Sequence, residues 1–295
     1  MGRGHHHHHH ETGNLKVAFF LNLSFTIIEI VGGILTNSLA ILSDALHDLG
    51  DSLSLGLSWY FQALSNKGST QKFSYGFARF SILGAIINSI VLVVGSIFIL
   101  VQAIPELMSP EPVNAQGMLL LSILGIAVNG VAAFRLKQGN SMNERVVSLH
   151  LIEDILGWVA VLIGSVVMIF ADAFWIDPLL SILISGYILF NVYRNLRESL
   201  IILLQGAPQD ISIENIHQQL EEIPEISNVH DCHVWSMDGE YNVLTVHVQL
   251  TEDLRISELK KIKKKVHEKL SNGSIHHITV EFENEGEDCT DWNTL

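Results

Sequence analysis

Two cysteines, Cys232 and Cys289, are all that the 295 residues contain. A disulfide framework is therefore not the basis of this fold. Basic side chains are also scarce: 17 Lys and Arg stand against 31 Asp and Glu, a formal net charge of −14. That balance argues against a nucleic acid as partner. The sequence has no Gly-rich phosphate loop, no nucleophile triad and no His-Glu-x-x-His motif, so it gives an enzyme little support and is not read as one. No small-residue cleavage site follows a short apolar core near the start, so no cleavable signal peptide is expected. Residues 1–12, with their run of six histidines, read as an expression tag and stand outside the fold.

What the sequence has instead is long apolar stretches. Six follow the tag: Leu15–Leu35, Leu39–Ala63, Phe77–Ile104, Ala115–Leu136, Val146–Phe170 and Phe174–Leu196. Each has about the 20 residues that a spanning helix needs. The loops between them differ in charge. Lys67, Lys72 and Arg79 follow the second span, Arg135, Lys137 and Arg145 follow the fourth, and Arg194 and Arg197 follow the sixth. The intervening loops carry Glu106, Glu111 and Asp172 and no Lys or Arg. The excess of basic residues on one side predicts that both termini are cytoplasmic.

The two least apolar spans, the second and the fifth, hold related motifs: His47-Asp48-Leu49-Gly50-Asp51 and His150-Leu151-Ile152-Glu153-Asp154. Each sets a His four residues before an Asp. On a helix that spacing leaves the two side chains roughly 40° apart and about 6 Å along the axis. Two such helices side by side would offer two imidazoles and two carboxylates, a full tetrahedral set for Zn²⁺. Ionisable groups at membrane depth are expensive and mark function by default. A nitrogen and oxygen set without thiolate favours Zn²⁺ over Cu⁺, Mg²⁺ or Ca²⁺, with Cd²⁺, Co²⁺ and Ni²⁺ as alternative substrates. The bland alternative is that these four groups pair with one another for helix packing.

Several other polar residues share the spans. Asp44 and Asp48, at −3 and +1 from His47, are expected to share its face of the span and are candidates for supporting the ligands or passing protons; Asp44 could instead cap the start of its helix. Glu153 could relay protons or lie at the helix surface. Glu29 and Asn22 in the first span read as interhelical hydrogen-bonding groups.

The character changes near Gln205-Gly206-Ala207-Pro208. Residues 208–295 hold 18 acidic and 7 basic side chains, a net of −11. Here the pattern predicts a helix over Ile211–Ile223 with Ser212 or Asp210 as N-cap, and strands over Val229–Ser236 and Tyr241–Leu250. A second helix over Ile256–Leu270 and a last strand over Ile275–Glu283 complete it. The order α-β-β-α-β suggests a small split βαβ domain, ferredoxin-like in arrangement. The expected domains are thus 13–204, six transmembrane helices, and 205–295, a small α/β cytoplasmic domain. The two cysteines would face a reducing cytoplasm, so a disulfide is not expected. Lys260, Lys261, Lys263, Lys264 and Lys265 read as a solvated helix face or a contact to anionic lipid heads.

The chain resembles the cation diffusion facilitators, and within them the zinc/proton antiporter branch. The resemblance rests on the stretch from Gly33 to Asp51, on His150 to Asp154, and on Tyr75-Gly76-Phe77-Ala78-Arg79, Asp177-Pro178 and His230-Asp231-Cys232-His233-Val234-Trp235-Ser236. It covers nearly everything after the tag. It implies a homodimer in a membrane, the bacterial inner membrane for a bacterial member, with His47, Asp51, His150 and Asp154 as the transport site. It implies that spans 1, 2, 4 and 5 rock against 3 and 6. It also points to a second zinc site in the tail, with His230, His247 and Glu281 on the three strands and Cys289 as a fourth ligand. The alternative there is ordinary surface histidines. His233 is a weaker candidate, and His276 and His277, being adjacent, should point to opposite faces. The loop between spans 4 and 5 lacks the histidine-rich tract of many relatives, and Ser65–Ser74 lacks His, Asp and Glu.

Zinc ligation needs neutral His and ionised Asp, so metal entry should release protons. One site alternately loaded with metal and protons is an antiporter. A membrane metal sensor or metal-binding protein without transport is the alternative reading. A haem protein with His47 and His150 as axial ligands is disfavoured by Asp51 and Asp154.

Overall fold

The computed structural model describes residues 8–65, 69–136, 142–270 and 274–284. Six long helices come first: α1 (His8–Thr36), α2 (Leu39–Ser65), α3 (Phe80–Met108), α4 (Ala115–Leu136), α5 (Met142–Ala171) and α6 (Ile176–Leu203). They are followed by α7 (Ile213–Glu221), β1 (Ile226–Ser236), β2 (Asn242–Leu250), α8 (Ile256–Leu270) and β3 (His277–Glu283). Residues 1–67 and 84–196 form one compact unit, and 68–83 with 197–295 form another.

Among the described residues, α1, α3, α4, α5 and α6 each contain a stretch long and apolar enough to cross a membrane. Helix α2 is as long, but Asp44, Asp48 and Asp51 keep it below that apolarity. The helices exceed the predicted spans mostly at their polar ends, because a helix continues into water after the apolar stretch stops. In the first unit α1 packs on α2 and α4, α4 packs on α5, and α2 meets α5. Close approach is built in where side chains vanish. A Cβ placed on Gly125 of α4 would lie 2.3 Å from the Trp158 ring of α5. Trp158 is itself buried, edge-on to Phe25 of α1.

The link from α1 to α2 is tight. Asn37 takes the left-handed conformation at φ 56°, and the Ser38 amide donates to the Gly33 carbonyl at 3.0 Å, a common way to end a helix. Helix α2 then starts on a shared cap. The Asp177 carboxylate of α6 accepts hydrogen bonds from the Ser38 hydroxyl at 2.5 Å and from the Leu39 amide at 2.7 Å. The Ser38 hydroxyl accepts from the Ile41 amide at 3.2 Å. Asp44, six positions into α2, is therefore not its cap. Below the cap, Ser43 hydrogen-bonds Ser181 and Ser185 of α6. Asp177 is 0 % exposed, so its acceptors cannot be replaced by water. Asp177→Asn turns an amide nitrogen toward donors and should lower stability by about 2–3 kcal/mol. Thermal unfolding of the solubilised protein reads this; an unchanged melting temperature would mean the clamp carries no load.

In the second unit, Ser212 caps α7 by accepting from the Asn215 amide at 3.2 Å. The sheet order is β1-β2-β3, with β1 and β2 antiparallel and β2 and β3 parallel. Leu244, Val246, Val248 and Leu250 of β2 alternate inward to a core shared with Ile216 and Leu220 of α7 and Ile262 and Val266 of α8. The opposite face, free of α7 and α8, carries the histidines. The lysine-rich side of α8 is partly tied down: Lys265 pairs with Glu225 at 2.5 Å and Lys269 with Glu222. The Lys265 ammonium holds the Glu225 carboxyl below its usual range.

Candidate metal centres

His47 and Asp51 lie one turn apart on α2, and His47 Nε2 stands 3.9 Å from Asp51 Oδ2. The same nitrogen is 3.9 Å from Oδ1 of Asp154 on α5. Ligands about 2.0 Å from a tetrahedral zinc ion are about 3.3 Å apart. His47 therefore needs to close on each carboxylate by only about 0.6 Å to share an ion with it. His150 is carried on α5 one turn before Asp154; its side chain lies outside the described residues. Helix α5 is held in place for this by the Trp158–Gly125 contact one turn further on.

A cavity of about 420 Å³ opens beside these groups between α2, α5 and α6. His47, Asp154, Asp44 and Glu153 supply its polar lining, against apolar groups such as Leu156 and Leu183. An apolar wall strengthens the field of the carboxylates on a cation. Asp44 is buried, and a Cβ on Gly157 of α5 would sit 3.6 Å from its Oδ1. Glu153 is exposed and accepts a hydrogen bond from the Tyr187 hydroxyl at 3.4 Å.

Asp48 does not share this face. It is one residue from His47 and so turned about 100° around the helix. It is buried beside Glu29 of α1, which is 1 % exposed. Asn22 follows the sequence reading: its amide donates to the Asp48 carbonyl and to the Ser52 hydroxyl, each at 3.0 Å. Asp44, Asp51 and Asp154 put three carboxyls around His47, charges that a cation entering the cavity would offset.

The tail brings a second group together. His230 and His247 are paired across β1 and β2, and Glu281 is the β3 partner of His247. His247 Nε2 is 3.5 Å from Glu281 Oε2, yet Glu281 is 68 % exposed. Glu283, two residues on and 5 % exposed, is nearer: Oε1 is 2.5 Å from His247 Nδ1 and Oε2 is 3.0 Å from His230 Nε2. Ligand atoms of His230, His247 and Glu283 lie within 4.8 Å of one another. Nδ1 of His230 is buried with no hydrogen-bond partner among the described residues. Two imidazoles, carboxylates and an orphaned ring nitrogen fit a zinc ion.

Asp231 joins this cluster and was not foreseen as a member. Strand alternation would turn it to the core side, but β1 has a bulge between His230 and His233, with Asp231 at φ 46°. The extra residue swings its carboxylate to the histidine face. Asp231 Oδ2 is 3.3 Å from His247 Nε2, and its Oδ1 is 2.8 Å from His233 Nε2. Cys232 packs instead against the core, where burial and the Asp231 charge push its thiol up to about 11. Cys289 lies outside the described residues. His276 stacks on Tyr241 while His277 meets Tyr75 edge-on, the divergence expected of neighbours.

Comparison with known proteins agrees with this architecture. Residues 15–204 match the cation efflux transmembrane domain, and residues 208–285 match the cytoplasmic domain of cation efflux proteins. The chain is 36% identical over 292 residues to the cadmium, cobalt and zinc/H(+)-K(+) antiporter of Bacillus subtilis, covering 97% of this chain and 93% of that protein. It is 33% identical over 296 residues to the zinc transporter ZitB of Escherichia coli, covering 97% and 92%. It is 32% identical over 285 residues to the metal cation efflux system protein CzcD of Cupriavidus metallidurans, covering 96% and 90%. With the family's membrane domain matched over most of its length and its cytoplasmic domain over the rest, the chain belongs to the cation efflux family of membrane transporters, the cation diffusion facilitators.

Proposed function

We propose that this protein carries Zn²⁺ out of the cytoplasm in exchange for protons, by alternating access at His47, Asp51, His150 and Asp154. The observation that carries the reading is His47 Nε2 within 3.9 Å of carboxylates on two different helices, beside a cavity at membrane depth. The names of the relatives, which include zinc, cadmium, cobalt and protons, support the same substrates. Loading requires both imidazoles neutral and both carboxylates ionised, so a proton-rich outer side displaces the metal and a near-neutral cytoplasm favours binding. Asp44 and Glu153 line the route of entry and hold positions for receiving the released protons. The mutual packing of α1, α2, α4 and α5 supports their moving as one body. The basic loops support a cytoplasmic position for both termini, with the tail working there as the contact of a homodimer. For a bacterial chain, the membrane is the inner one. The domains divide at 204/205.

Purified protein in liposomes enclosing a zinc-sensitive dye tests this. Zinc should cross toward the acidic side of an imposed pH gradient, and the flux should fall when a protonophore collapses the gradient. Flux indifferent to the gradient would end the exchange mechanism. Zinc binding without any flux would favour the sensor reading.

A further inference from the structure

We propose that a pocket at the adjoining ends of α3 and α6 binds the phosphate of an anionic phospholipid headgroup. The pocket has a volume of about 360 Å³ and lies wholly within the second unit. Lys72 and Arg79 are the charged groups lining it, and none of its lining residues is acidic. Tyr75, Phe80, Gln205 and Trp235 form much of the remaining wall.

The floor is preformed. Gly76 sits at φ 74°, where a side chain would be strained. Its amide donates to the Phe73 carbonyl at 3.0 Å, and the Thr70 amide donates to the same carbonyl at 2.9 Å. Phe73, Phe77 and Phe80 pack ring on ring beneath. This turn delivers Lys72, its ammonium 5.9 Å over the Phe73 ring, and Arg79 to one side.

Arg79 Nε is buried and has no hydrogen-bond partner among the described residues. A guanidinium is always charged and presents its donors as a planar fork that fits phosphate oxygens. A buried donor of this kind without an acceptor is costly. The two cations exclude a metal ion and call for an anion with several oxygens. The location selects the source. Phe80 is the first residue of a helix apolar enough to span a membrane, and Gln205, at φ 61°, turns the chain out of another. A pocket at both ends lies where the helices leave the hydrocarbon. Tyr75 and Trp235 are the residue types that favour that depth.

The test uses the full-length protein, delipidated in neutral detergent and returned either to phosphatidylcholine vesicles or to equimolar phosphatidylglycerol–phosphatidylcholine vesicles. Phosphatidylglycerol should be retained selectively, as read by mass spectrometry of the re-extracted protein, and should raise its melting temperature. Arg79→Gln should weaken that retention by about fivefold or more, and Lys72→Gln by a lesser factor. Lys263→Gln, on the exposed face of α8, should leave it unchanged. If Arg79→Gln does not fold, Lys72→Gln on the exposed turn carries the test alone. Equal retention of the two lipids, or wild-type retention in the folded pocket variants, overturns the site. Protection by inorganic phosphate as strong as that by phosphatidylglycerol overturns the lipid as its ligand.

Discussion

Replacing His47 by alanine should abolish zinc flux while the protein still inserts. His47 is the hinge of the membrane cluster, because its Nε2 faces Asp51 and Asp154 at once. Without it the two carboxylates lose the group that both approach, and the site loses its nitrogen from α2. A site built for four ligands loses most of its affinity with three. Asp51→Ala, His150→Ala and Asp154→Ala should do the same. Asp48→Asn should be milder, since Asp48 is turned toward Glu29 rather than into the cavity. Proteoliposome flux, normalised to inserted protein, measures all five. Near-normal flux in His47→Ala or His150→Ala would remove the assignment. A loss in Asp48→Asn as complete as in Asp154→Ala would mean that Asp48 belongs to the ion's coordination.

The tail should bind zinc independently of the membrane site. With residues 1–12 removed and in a His47→Ala background, calorimetric titration at neutral pH should still find a zinc site, and His247→Ala should remove it. His247 is the centre of this cluster: Glu283, Asp231 and Glu281 all approach it. Glu283→Gln should weaken binding far more than Glu281→Gln. Glu283 is nearly buried and reaches both histidines, whereas Glu281 is exposed and reaches one. Affinity should rise between about pH 5.5 and about pH 7.5, because a protonated imidazole cannot ligate. Zinc should also raise the melting temperature by mass action. No heat of binding in the His47→Ala protein would leave these residues as surface groups.

The parts of the fold legible in the sequence are those set by periodicity. Helix α4 begins and ends where its apolar stretch does, Ala115–Leu136, and α8 likewise at Ile256–Leu270. The i, i+4 spacing was enough to put His47 and Asp51 together, because helix geometry alone fixes it. The pairing of His230 with His247 was not set by periodicity: the register from Ser236↔Asn242 to His233↔Thr245 would put His230 opposite Val248, and the bulge shifts it by one to His247. What was hidden depends on tertiary detail. Asp231 reaches the cluster through a bulge, and no alternation rule announces one. Glu283 joins Glu281 on the same strand face, and its burial and its reach to both histidines depend on packing that alternation does not give. The Asp177 cap joins residues 138 positions apart; Asp177-Pro178 was visible as a motif, but its partner was not.

That cap gives α2 a fixed end and makes it a lever. His47 lies eight residues from Leu39, about 12 Å along the axis, and Ser65 lies about 39 Å away. A tilt of roughly 10° about Leu39 therefore carries His47 through only about 2 Å, and Ser65 through about 7 Å. In the proposed rocking the capped end of α2 stays nearly still while Ser65 sweeps about three times as far as His47. Held at its Asp177 end, α2 would turn a small shift at the ligands into a large one at Ser65, the end that admits the ion in the proposed cycle.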